Sequence, residues 1–194
     1  MRLFIGLSLP HDARQAVACV AARAAERIPG RYTLAENYHI TLAFLGETPP
    51  GDVPRIAAVL ARCLSCAPAP LLSPGRLGVF GRMENGILVL HMGSQPALEP
   101  LHEALCAALR SEGLPASDGP FTPHVTLARH ARASQDALHA LAAQAAGIPC
   151  FRAGCASLFL SARDGCGVLR YTPMLSAPLT ASFSPPFPSF DRSL

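Results

Sequence analysis

Two short stretches of this chain combine residue types and spacing that suit proton transfer at a small anion. They are His39-Ile40-Thr41-Leu42-Ala43 and His124-Val125-Thr126-Leu127-Ala128. Each is apolar and β-branched around one His and one Thr, so each reads as a half-buried strand. In a strand, residues two apart share a face. His39 and Thr41 therefore leave one side of their strand together, and His124 and Thr126 do the same on theirs. An imidazole gives or takes a proton near neutral pH, and a hydroxyl donates to an anionic oxygen. Two such pairs facing each other would suit a phosphate. With seven His and seven Thr in 194 residues, chance supplies only about a quarter of one His-x-Thr. Two occur, and both continue Leu-Ala.

The rest of the chain reads as what must hold these strands. An opening strand over 2–9 precedes a helix from Asp12 to about Arg27, stopped by Pro29-Gly30. A brief strand at Tyr32-Thr33 leads to the first His strand, about 38–45, ended by Gly46. A second helix is expected over about 52–64. Strands at 71–72 and 77–80 are expected to be joined by a Ser-Pro-Gly turn, and Asn85-Gly86 to close a hairpin onto a strand at 87–92. Residues 96–110 have helical periodicity and end at Gly113. Pro123 pushes Thr122 toward an extended conformation and so fixes the approach to His124. A helix over 134–146 and two strands, about 155–161 and 168–175 around Asp164-Gly165, complete the order. One His strand falls in each half, 85 residues apart, as duplication of a small α/β lobe would place them.

Composition narrows the class. Half of the residues are hydrophobic and 15% are charged, as in globular domains. A net charge of +3 is too small to argue for a non-specific nucleic-acid coat. All sixteen basic residues are Arg, the better fork for a pair of phosphate oxygens. Cys63 and Cys66 have redox or zinc spacing, but no second pair follows, and small buried thiols in a reducing cytoplasm account better for the seven cysteines. No metal or other cofactor is expected. The apolar opening run is short and broken by Pro10, and no stretch is long enough for a membrane span. The expectation is a cytoplasmic monomer, residues 1–179 forming one bilobal domain and 180–194 a flexible Pro/Ser-rich tail.

Glu36-Asn37-Tyr38-His39-Ile40-Thr41-Leu42-Ala43-Phe44-Leu45-Gly46-Glu47, with Pro120-Phe121-Thr122-Pro123-His124-Val125-Thr126-Leu127-Ala128-Arg129, resembles the paired signatures of the two-histidine phosphoesterase superfamily. Within it the chain looks most like the RNA 2',3'-cyclic phosphodiesterases, also called 2'-5' RNA ligases. The resemblance implies an α+β fold: two antiparallel sheets with flanking helices, related by pseudo-twofold symmetry around a central cleft. It also implies metal-free opening of a ribose 2',3'-cyclic phosphate, on an RNA end or a nucleotide, to a 2'-phosphomonoester. By resemblance His39 is the acid at the leaving 3' oxygen and His124 the base that activates water, and the symmetry leaves the reverse open. Thr41 and Thr126 would hold the non-bridging oxygens. Arg129 matches a family position, although strand alternation alone turns it to the opposite face.

Arg82 is a weaker candidate for an RNA backbone. Phe44, Phe121 and Tyr38 read as wall or core residues that could stack on a base. His11, His91, His102, His130 and His139 lack a partnered Thr and read as structural or surface residues. Three rival functions stand beside this one: 2'-5' RNA ligation in the same cleft, a nucleotide-binding module without catalysis, and a redox or zinc protein using Cys63 and Cys66.

Overall fold

In the computed structural model, which describes residues 1–64, 67–93 and 96–180, the chain runs β1 (Arg2–Ser8), α1 (His11–Ala25), β2 (Arg31–Tyr32), β3 (His39–Glu47), α2 (Val53–Leu64), β4 (Leu71–Leu72), β5 (Pro74–Phe80), β6 (Gly86–Met92), α3 (Leu98–Ser111), β7 (His124–Ala131), α4 (Gln135–Ala140), α5 (Ala142–Ala146), β8 (Phe151–Arg152), β9 (Cys155–Arg163) and β10 (Leu169–Pro178). Cys66 and the tail beyond Thr180 lie outside the described residues, and with them the expectations of a Cys63–Cys66 pair and a flexible tail.

Eight of the strands join in one antiparallel sheet that divides into two halves, with β4 and β8 paired apart from it. One is ordered β10-β9-β1-β3; the other contains β2, β7, β6 and β5. The halves meet at a single residue pair, Ile40 of β3 opposite Val125 of β7. Both side chains are fully buried, and burial of each contributes about 1.5–3 kcal/mol. One apolar cluster runs through both halves and takes in the inward faces of α1, α2 and α3. The helices thus cover the face to which Ile40 and Val125 point, and the opposite face stays open.

That single pair sets the geometry of everything on the open face. In an antiparallel pairing centred on it, His39 falls opposite Thr126 and Thr41 opposite His124. Alternation turns all four toward the face that Ile40 and Val125 avoid.

Both His strands also carry an extra residue at the same place. Gly6 pairs with Thr41 and Ile5 with Ala43, so Leu42 is extra; Val89 pairs with Thr126 and Leu88 with Ala128, so Leu127 is extra. Such a bulge puts two residues against one and reverses the alternation beyond it. Leu42-Ala43 and Leu127-Ala128 are accordingly consecutive buried pairs, and the next residues, Phe44 and Arg129, are exposed. The bulged carbonyls are not orphaned: that of Leu42 accepts from the His102 ring at 2.7 Å, and that of Leu127 from the Thr33 amide at 2.8 Å.

Three local expectations are corrected. Ser73-Pro74-Gly75 is no hairpin turn: β5 begins at Pro74, and β4 pairs with β8 in a separate two-stranded sheet. The chain needs β4 to leave the main sheet, and Pro74 lacks the donor a continuing ladder would use. The β5–β6 hairpin forms, but Phe80 pairs with Ile87 and the connection is longer than a two-residue turn. Positive φ falls on Gly81 rather than on Asn85. The helix expected over 134–146 divides at Leu141, whose buried side chain joins the core while the chain starts a second short turn.

Candidate active site

The two histidines are held in the same way. The Nδ1 atom of His39 lies 2.7 Å from the Asn37 carbonyl, and that of His124 lies 2.7 Å from the Thr122 carbonyl. A carbonyl only accepts, so Nδ1 carries the proton in each ring and Nε2 keeps its lone pair. Local sequence explains each anchor. Before His39, a tight turn at Ala35–Asn37 presents the carbonyl, and Asn37 is itself fixed by its buried amide, which donates to Leu169 O at 2.8 Å and accepts from the Tyr171 amide at 3.1 Å. Before His124, Pro123 holds Thr122 extended.

The rings differ in their surroundings. His39 sits in an aromatic cage: Phe4 at 4.5 Å between ring centroids, Tyr171 edge-on at 5.0 Å, Phe159 at 6.1 Å. Gly6 makes that stacking possible, since a Cβ there would come within 2.9 Å of the Ile40 carbonyl and 3.3 Å of the His39 ring. His124 meets one aromatic edge, Phe80 at 4.8 Å. Burial therefore pushes His39 down from 6.5 to about 4, helped by the charges of His124 and Arg129. His124 is lowered by burial and by Arg129. Both shifts favour the neutral form of the rings at pH 7.

Two adjoining cavities contain the pair. One, of about 430 Å³, is lined by His39, Thr41, Phe44, Arg129, Tyr171 and residues of β1 and β9. The other, of about 270 Å³, is lined by Thr41, Phe80, His102, the 117–122 loop and His124. Thr41 belongs to both walls and joins them. Thr126 is half-buried at the equivalent place on β7 and lines neither.

The expectation for Arg129 from simple alternation is overturned: the bulge at Leu127 returns it to the His face, where it lines the His39 cavity. Phe44 reaches the same cavity by the same device. Tyr38 is buried in the core. Phe121 stacks on His102, centroids 4.2 Å apart and planes within 7°, so both flank the His124 cavity. His91 is the cross-strand neighbour of His124 and packs on Phe80. Arg82 sits exposed in the β5–β6 connection and lines neither cavity.

The sequence expectations give no site role to Phe4, Gly6, Arg2, Ser161, Arg163 or Tyr171, although the opening strand with Phe4 and Gly6 and the closing strands with Ser161 and Tyr171 fit the family resemblance. Gly6 also carries a local signal, since a glycine inside a strand marks close approach by a neighbour.

Comparisons with known proteins give a family match, named relatives and solved structures of similar fold. A family model described as the 2'-5' RNA ligase superfamily matches residues 10–165. A protein of Geobacillus stearothermophilus named RNA 2',3'-cyclic phosphodiesterase is 37% identical over 129 residues, 65% of this chain and 41% of that protein, so the chain spans less than half of that relative's length. One of the same name from Escherichia coli (strain K12) is 31% identical over 135 residues, 67% of this chain and 72% of the relative. Among solved structures, Escherichia coli LigT in apo form matches with a TM-score of 0.70 at 29% identity, covering 92% of this chain and 97% of that one. The same protein complexed with 3'-AMP matches with a TM-score of 0.70 at 28% identity, over 92% of this chain and 98% of that one. No helix among the described residues is long and apolar enough to cross a membrane.

Proposed function

This chain belongs to the 2'-5' RNA ligase superfamily, and from that premise we propose that it is a phosphoesterase that opens ribose 2',3'-cyclic phosphates on RNA ends or nucleotides to 2'-phosphomonoesters. The observation that carries the proposal is the Ile40–Val125 pair. It turns two imidazoles and two hydroxyls toward one open face, each imidazole tethered through Nδ1 with Nε2 left for chemistry.

In the reaction, a water oxygen bonds to phosphorus while the bond from phosphorus to the ribose 3' oxygen breaks. One ring accepts the water proton on Nε2 and the other, entering protonated, delivers its proton to the 3' oxygen. Resemblance gives His39 the acid role and His124 the base role. Since the aromatic cage disfavours a charged His39, that assignment requires the anionic substrate to raise it on binding. Thr41 and Thr126 donate to the non-bridging oxygens, and Arg129 adds fixed positive charge beside them. These groups cover both proton transfers, so turnover is expected to persist in excess EDTA. Loss on chelation with recovery on adding zinc would overturn the metal-free scheme.

The test is incubation with a short RNA ending in a 2',3'-cyclic phosphate, with identification of the oxygen that retains phosphate. A 2'-phosphate product is expected, and a 3'-phosphate product would reject the assignment of the leaving oxygen. A 5'-hydroxyl in place of water would give a 2'-5' linkage, a reading favoured by the family model's description; a second RNA strand in the same assay reports it.

The pH dependence has a defined sign. Both histidines are lowered from 6.5, so the bell-shaped profile of kcat/KM, which reports the free enzyme, should centre on the acid side of pH 6.5. Bound phosphate favours the protonated rings, so the kcat profile should lie to its alkaline side. Arg129→Ala removes a positive charge that lowers both rings, and both limbs of kcat/KM should move toward higher pH. An unmoved profile would mean that Arg129 does not act on the pair.

A further inference from the structure

The His39 cavity does not end at Arg129. A further cavity of about 360 Å³ adjoins it, sharing Arg129, Arg163, Leu169 and Tyr171 and adding Arg31, Tyr32, Thr33 and His130 among others. Its charge arrangement is unusual. Arg31 of β2 is the direct cross-strand partner of Arg129 of β7, so two guanidinium side chains start from facing positions on one side of a strand pair. Like charges placed directly opposite each other are destabilising. A third guanidinium, Arg163 at the end of β9, is held at the cavity by donating to the Gly167 carbonyl at 2.6 Å. Asp164, the nearest carboxylate in sequence, is taken by Arg170 at 3.0 Å. Among the described residues lining the two cavities there is no Asp or Glu. Three cations from three strands therefore surround a hollow with no carboxylate among its described lining residues.

We propose that this hollow is a second phosphate subsite, which takes the phosphate on the 5' side of the terminal nucleoside while the cyclic phosphate occupies the His39 cavity. The inference rests on the proposed function for the location of the cyclic phosphate. The guanidinium fork suits a pair of phosphate oxygens. A strand of RNA supplies such a phosphate next to its last nucleoside, along a backbone that positively charged grooves track. The subsite makes the enzyme prefer an RNA end, or a 5'-phosphorylated nucleotide, over a bare nucleoside cyclic phosphate.

The test compares three substrates: a nucleoside 2',3'-cyclic phosphate, its 5'-phosphorylated form, and a dinucleotide ending in 2',3'-cyclic phosphate. Arg31 lines this hollow and not the His39 cavity, so Arg31→Ala is the informative variant. Wild-type kcat/KM should be about tenfold or more higher for a substrate carrying the 5'-side phosphate, as loss of a charged hydrogen bond predicts. In Arg31→Ala that advantage should vanish while turnover of the bare cyclic phosphate is kept, and Arg31→Lys should restore part of it. If only the dinucleotide gains, the site reads a diester within a strand; if the 5'-phosphorylated nucleotide gains equally, it reads phosphate alone.

An advantage that survives in Arg31→Ala, or no advantage in wild type, overturns the subsite. Should wild type turn over none of the three, the proposed function falls. Calorimetric binding of the corresponding 2'-phosphates to the wild-type protein and Arg31→Ala then decides the subsite separately, by whether the 5'-side phosphate tightens binding only when Arg31 is present.

Discussion

Replacing His39 or His124 with alanine should each lower kcat on an RNA 2',3'-cyclic phosphate by about 10²–10⁴-fold, the range for losing a positioned acid or base. The two losses should not multiply in the double variant, because one proton transfer without the other leaves the displacement incomplete. Thermal melting separates chemistry from folding. His124→Ala should melt near wild type, since its ring meets one aromatic edge. His39→Ala empties part of the cage formed with Phe4, Tyr171 and Phe159 and should lose on the order of 1–3 kcal/mol, with His39→Gln as the variant that keeps more of that volume. Full activity in either alanine variant would end the paired-imidazole scheme.

The same pair of variants decides which ring is the acid. A substrate whose leaving group departs as a stable anion needs no protonation. It should restore turnover to the variant lacking the acid and leave the variant lacking the base inactive. Rescue of His39→Ala supports the assignment taken from resemblance. Rescue of His124→Ala supports the reverse, toward which the caged, hard-to-charge state of His39 leans.

How much of this was legible in the sequence depended on the range of the interaction. The paired motifs, the strand character of the two His segments and the shared face of each His and Thr are local, set by alternation over three residues, and all appear in the structure, where the strands run His39–Glu47 and His124–Ala131. Helices α1, α2 and α3 fall within a few residues of their expected bounds because apolar period and Pro or Gly stops are local too.

What was hidden depends on partners remote in the chain. The bulges at Leu42 and Leu127 exist only relative to β1 and β6, so alternation alone sent Arg129 the wrong way. Arg163 and Tyr171 reach the site from β9 and β10, more than 100 residues from β1 and β3 in sequence; Tyr171 lies in a strand that fits the family resemblance, but no local pattern gives either residue a role there. Ser73-Pro74-Gly75 looked like a turn because its composition is that of one. The pairing of β4 with β8 overrode that composition.

The hydroxyls offer the second large effect, and the structure makes its two halves unequal. Thr41→Val and Thr126→Val keep the branched shape that the strands favour and remove only the donor. Each should lower kcat by about 10–1000-fold, as loss of an oxyanion donor does, with alanine at either position costing at least as much. Thr41 stands in the wall common to both cavities, opposite His124 in the register set by Ile40 and Val125. Thr126 is half-buried, as Thr41 is, but lines neither cavity. Thr41→Val should therefore be the costlier change, with its loss in kcat rather than in KM, because the hydroxyl matters most where charge on the non-bridging oxygens is held in the transition state.

If the two hydroxyls serve separate oxygens, the logarithms of their effects should add in the double variant. A double variant no worse than Thr41→Val alone would show that Thr126 positions the strand and touches no oxygen. A negligible cost at Thr41 would remove the hydroxyls from the mechanism and leave Arg129 as the group that holds the phosphate charge.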